Sequence, residues 1–93
     1  PIPFYRFRIQ GRGISGAGVL GFYTTRHAYA ASKEKAAIKA LDAVMRDWTT
    51  GPSSRLSPDG PPKSLEVEAG WQIGLHELWS APNKGNMLYE RDD

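Results

Sequence analysis

The chain has 93 residues, enough for one domain (1–93) built around one modest core. It contains no cysteine, which excludes disulfide staples and thiolate zinc sites and suits a reducing compartment. The formal net charge of +2 is too small to announce a nucleic-acid binder, and no apolar run approaches the roughly 18 residues of a membrane-spanning helix.

Phe4 to Gln10 alternates, with Tyr5, Phe7 and Ile9 on one side and Arg6, Arg8 and Gln10 on the other, which predicts a half-buried strand. GRGISGAG, residues 11–18, reads as a glycine-rich hairpin connection. The next run, VLGFYTTRHAYA from Val19 to Ala30, is rich in β-branched and aromatic residues without proline and predicts a second strand.

Ser32 stands where a helix N-cap belongs, and Glu34 faces the positive end of the dipole, so a helix is expected from about Lys33. Ala37, Leu41, Val44 and Trp48, flanked by Ile38 and Met45, form its expected apolar stripe, opposite Lys35, Lys39, Asp42 and Arg46. Gly51 and Pro52 end it. The following TTGPSSRLSPDGPPK predicts an irregular surface loop. Leu65, Val67, Ala69, Trp71, Ile73 and Leu75 then alternate with polar or glycine positions, predicting a long strand whose apolar side meets Leu41 and Val44, with Gly70 and Gly74 the expected bulges or bends. Ser80 to Asn86 reads as a turn and Met87 to Glu90 as a short last strand. The three tryptophans, Trp48, Trp71 and Trp79, are expected in the core, and an exposed one would be an interface anchor.

Charge is unevenly distributed. Eight basic and three acidic residues up to Trp48 give +5, and the remainder carries −3. Pairing across the sheet is one explanation, with Glu66 and Glu68 meeting Arg6 and Arg8. A functional basic face is the other. Arg6, Arg8, Tyr23, Arg26, His27 and Tyr29 are its candidates, since a basic sheet face with interleaved aromatics stacks single-stranded bases and tracks phosphates.

Gly11-Arg12-Gly13-Ile14-Ser15-Gly16 matches the dinucleotide fingerprint in letters. That fingerprint works where a helix opens at the third glycine inside a parallel βαβ unit, and strand chemistry follows here instead. The histidines His27 and His76 have no paired metal-ligand spacing, and the serines have no evident base and orienting partner. The expectation is therefore no catalytic residue, no metal and no cofactor. The start, Pro1-Ile2-Pro3, lacks the basic leader and apolar segment of a signal peptide, so a cytoplasmic protein is expected.

The central block, GFYTTR at Gly21 to Arg26 followed by the alanine-rich helix start ASKEKAAIKAL, resembles a family of small uncharacterised bacterial proteins. The resemblance covers about the middle third, with Gly85-Asn86-Met87-Leu88-Tyr89 near the end, and implies strands, a helix and then more strand. It implies no activity or site residues. A looser similarity to HicB-like antitoxins lacks their glycine- and proline-containing strand motif. The expected fold is α+β, a single helix packed on a three- or four-stranded antiparallel sheet in ββαββ order. One side of such a sheet stays uncovered, and that predicts a non-enzymatic protein-interaction module acting on a bacterial or phage partner or as a homodimer. The alternatives are single-stranded RNA or DNA binding and an antitoxin-like protein.

Overall fold

The computed structural model describes residues 3–14, 21–58, 60–74 and 86–89. Strand β1 (Phe4–Arg12) pairs antiparallel with β2 (Gly21–Tyr29) on one side and with β3 (Ser64–Ile73) on the other. Since β1 is antiparallel to both, β2 and β3 run parallel with β1 between them, and helix α1 (Lys33–Thr49) makes the crossover, a split β-α-β arrangement. A short strand β4 (Asn86–Tyr89) runs antiparallel beside Gly21–Thr24, giving the order β3-β1-β2-β4. The α+β class, one helix on an antiparallel sheet, is as the sequence led us to expect.

The helix begins where the sequence places it. Ser32 is extended, and its hydroxyl accepts from the Lys35 amide at 3.3 Å, satisfying one of the first free donors. At the other end the Gly51 amide returns to the Arg46 and Asp47 carbonyls. The buried row is Ala36, Ala40, Val44 and Trp48, a step of four throughout, so the contact face is rotated from the expected one. Ala37 and Leu41 pack at its margin, and Ile38 is 60 % exposed. Two alanines in that row are small enough for close approach of the backbone to the sheet, and Trp48, 1 % exposed, is its largest buried side chain.

Glycines and large rings interlock across the strand pairs. Gly11 is the partner of Phe22, and a Cβ there would fall within the Phe22 ring. Gly70 is the partner of Phe7, and a Cβ there would collide with that ring in the same way. Each ring thus lies over a neighbouring strand that has no side chain at that point. Phe22 in turn stacks on Trp48, ring centroids 4.3 Å apart.

Two expectations need correction. The long strand is present over Ser64–Ile73, but its apolar residues do not share a face, because the register with β1 shifts between Arg8 and Ile9. Ala69 pairs with Arg8 and Val67 with Ile9, so Glu68 is the extra residue of a β-bulge. Leu65 and Val67 therefore face the helix, whereas Ala69, Trp71 and Ile73 lie on the opposite side with Arg8, Arg6 and Phe4. The bulge falls at Glu68 and not at Gly70 or Gly74, and Trp71 is 44 % exposed rather than in the core. The loop after the helix is also less irregular than its composition suggests. Pro52–Leu56 forms a 3-10 turn whose Ser53 is buried and bonded to Asp47. Trp79, Leu75, His76 and the Ser80 to Asn86 turn, Asn86 aside, lie outside the described residues, as do Val19, Leu20 and the second half of the glycine-rich connection, residues 15–18.

Candidate functional site

Alternation along β1 sends Tyr5, Phe7, Ile9 and Gly11 toward α1 and Phe4, Arg6, Arg8, Gln10 and Arg12 to the other side. The pairing register carries the same division into β2: Phe22, Thr24, Arg26 and Ala28 share the helix side, and Tyr23, Thr25, His27 and Tyr29 the opposite one. Five of the six candidate residues, Arg6, Arg8, Tyr23, His27 and Tyr29, thus share one face. Arg26 does not. It lies beneath α1, where its Nη2 donates to Asp47 Oδ2 at 3.2 Å, with the two side chains 9 % and 16 % exposed. Its role there is to tie β2 to the helix.

On the face away from the helix, Arg8 sits at the centre. Its Nε donates to Glu68 Oε1 at 3.1 Å, and its guanidinium lies over the Tyr23 ring, 4.7 Å from the centroid. The side chain is nevertheless 55 % exposed. The expected Arg8–Glu68 pairing is therefore formed, and the bulge at Glu68 is what brings that carboxylate beside Arg8. Arg6 is not opposite a glutamate. Its strand partners are His27 and Trp71, and its Nε donates to His27 Nε2 at 3.1 Å. That bond requires an unprotonated Nε2. Burial, and then the positive charge of Arg6, push the His27 pKa below its ordinary 6.5. Glu66 stands opposite Gln10.

Tyr29, 51 % exposed, ends β2 and packs at a tilt against Phe4, with centroids 5.4 Å apart. Lys39 reaches it from the helix, its Nζ 4.5 Å from the ring centre and bonded to the Tyr29 carbonyl at 2.8 Å. Two residues missing from the sequence-based set belong to the same face: Arg12, exposed at the end of β1, and Trp71, beside Arg6. Arg12 continues the two-residue period of Arg6 and Arg8, so it was legible. Trp71 was not, because the bulge inverts its side.

Among the described residues no three His, Cys, Asp or Glu side chains converge as metal ligands. An open hollow of about 460 Å³ runs along the outer surface of α1, lined by Asp42, Met45, Arg46, Thr49 and Thr50, far from the basic face and without a histidine. Gly11 and Arg12 of the fingerprint-like run belong to β1, and the strand that follows pairs antiparallel with it, unlike the parallel unit a dinucleotide site needs. No described helix is long and apolar enough to cross a membrane. No family model matches this chain, nor does any curated protein or solved structure.

Proposed function

We propose that the protein is a non-enzymatic interaction module that engages another protein through the sheet face opposite α1. The observation that carries this reading is Trp71, 44 % exposed on a strand and flanked across β1 by Arg6 and Arg8. Tryptophan, tyrosine and arginine are the residues most often found as energetic anchors of protein interfaces. A symmetric dimer through the centre of this face would set Arg8 of one copy against Arg8 of the other, so like charges favour a different protein over a second copy. The reading takes the fold as a ββαββ unit with β4 on the β2 side. The likeness of the middle third to small bacterial proteins fits a modulator of a bacterial or phage partner working in the cytoplasm.

Single-stranded nucleic acid is the second reading, favoured by Arg6, Arg8 and Arg12 running down the central strand. The test of the first is recovery of a stoichiometric protein with the tagged chain from its own cells. Trp71→Ser is expected to lose that protein while melting as the wild type does. Recovery unchanged by Trp71→Ser refutes the assignment of this face.

A further inference from the structure

We propose that two copies of the chain join edge to edge through β3, antiparallel about a two-fold axis at Gly70, so that their sheets run on as one. This goes beyond the interaction reading above and does not depend on it.

β3 ends the sheet on its side and, among the described residues, has no strand beyond it. Its ten residues hold neither proline nor lysine, the usual blunting residues of an exposed edge. Glu66, Glu68, Ala69, Trp71 and Gln72 are all exposed, so the backbone donors and acceptors that point away from β1 along this stretch are open to pairing.

A second copy suits this edge because the strand is self-complementary. Its pairing with β1 places Leu65, Val67, Gly70 and Gln72 on the helix side and Glu66, Ala69 and Trp71 on the other. A two-fold axis perpendicular to the sheet keeps like sides together, so residues opposite each other must share a side. With Gly70 on the axis, Ala69 lies opposite the copy's Trp71 and, past the bulge residue Glu68, Val67 lies opposite the copy's Gln72. Both pairs meet that condition, and the bulge is absorbed rather than left to blunt the edge. Each large ring meets a small residue, as Phe22 meets Gly11 and Phe7 meets Gly70 within the chain. Neither glutamate faces an acid of the copy. An axis at Trp71 would confine the pairing to Gly70 through Gln72, because Ala69 would then meet Ile73, which is buried.

Space and charge agree. The helix touches β1, β2 and β3 and so lies over the middle strand. Strands are about 4.8 Å apart, so the two copies of β1, three spacings from each other, hold the helices about 14 Å apart, beyond the contact distance of about 8–10 Å. The same separation sets the two Arg8 positions farther apart than the screening length of about 8 Å at physiological salt, unlike a dimer formed face to face. Both Trp71 rings then stand on one continuous face.

The test is sedimentation equilibrium of the full chain from micromolar to millimolar concentration, with amide spectra over the same range. The wild type is expected to pass from its chain mass of 10.3 kDa to twice that value, with the concentration-dependent shifts centred on Val67 to Gln72. Ala69→Asp gains Arg8 as a neighbour within the chain, but it sets a carboxylate against the copy's Trp71 and about 7–8 Å from its own counterpart. It is expected to weaken the dimer about tenfold, and a melt at micromolar concentration separates lost association from lost fold. Gln72→Lys, which puts a blunting lysine at an exposed position of the same edge, is the second variant and is expected to act in the same direction. A chain that keeps its single mass at millimolar concentration, shifts centred on α1 or β4, or variants that associate as the wild type does overturn the inference. A strict monomer that still loses its co-purifying protein in Trp71→Ser refutes the edge and keeps the face. A dimer whose co-purifying protein survives Trp71→Ser keeps the edge and refutes the face.

Discussion

Replacing Asp47 by alanine removes one carboxylate of α1 that serves three donors in two other elements, β2 and the 3-10 turn. Its oxygens accept from Arg26 Nη2 of β2 at 3.2 Å, from the Ser53 amide at 3.1 Å and from Ser53 Oγ at 2.6 Å. The Arg26 side chain is 9 % exposed, and its Nε already lacks a partner, so Asp47→Ala leaves a guanidinium under the helix with nothing to offset its charge. Breaking a buried pair from one side costs about 3–5 kcal/mol, and the loose 3.2 Å geometry points to the lower end, about 3 kcal/mol. For a domain of this size each kcal/mol lowers Tm by roughly 4–8 °C, so a fall of about 12–24 °C is expected. The double variant Arg26→Met with Asp47→Leu removes the charge and its counter-charge together and is expected to recover more than half of that loss, a coupling that urea melts followed by circular dichroism measure directly. The same carboxylate sets an acid limit. Burial alone would raise its pKa, but the Ser53 hydroxyl and amide and then Arg26 outweigh burial and hold it below the ordinary 3.8. A group depressed in the folded state contributes fully above its unfolded value and is lost as pH falls below about 3.8 through the folded one, so the gap between wild type and Asp47→Ala should close in that window. A cost under about 1 kcal/mol for Asp47→Ala, or a double variant as unstable as the single one, refutes the reasoning.

Gly70→Ala in a strand would ordinarily stabilise a protein by a few tenths of a kcal/mol to about 1 kcal/mol, but here the new methyl meets the Phe7 ring, and a loss of about 1–3 kcal/mol is expected in urea melts. A neutral or stabilising result would mean that Phe7 does not lie over Gly70. Proton NMR should place the His27 pKa below 6.5, and Arg6→Gln should raise it by removing the charge that depresses it. Because the unfolded chain takes up that proton more readily, the contribution of His27 to stability is complete above pH 6.5 and declines as the pH falls below it.

The elements that local chemistry specifies were legible. Ser32, Glu34 and Gly51 mark the helix ends by capping rules that depend on a few neighbouring residues, and the alternation of Phe4 to Gln10 follows from a strand with one buried face. The arginine side of β1 was legible for the same reason. What could not be read depends on pairing between distant residues. The bulge at Glu68 leaves the apolar residues of β3 alternating by number, from Leu65 to Ile73, while moving the later ones to the other face. Arg26 lies within the basic half of the sequence, but its parity on β2 puts it under α1, and the aspartate that permits this is 21 positions away. The buried row of α1 is shifted from the expected stripe because two alanines, less hydrophobic than Leu41, suit close approach to the sheet better.

The account turns on which side of the sheet meets a partner, and amide chemical-shift mapping during titration with the protein recovered alongside the tagged chain reads that side residue by residue. Perturbations concentrated at Arg6, Arg8, Thr25, His27 and Trp71, with the solvent side of α1 at Glu34, Ile38 and Asp42 unmoved, are the predicted result. Shifts gathered on α1, or scattered evenly over both sides of the sheet, would contradict it.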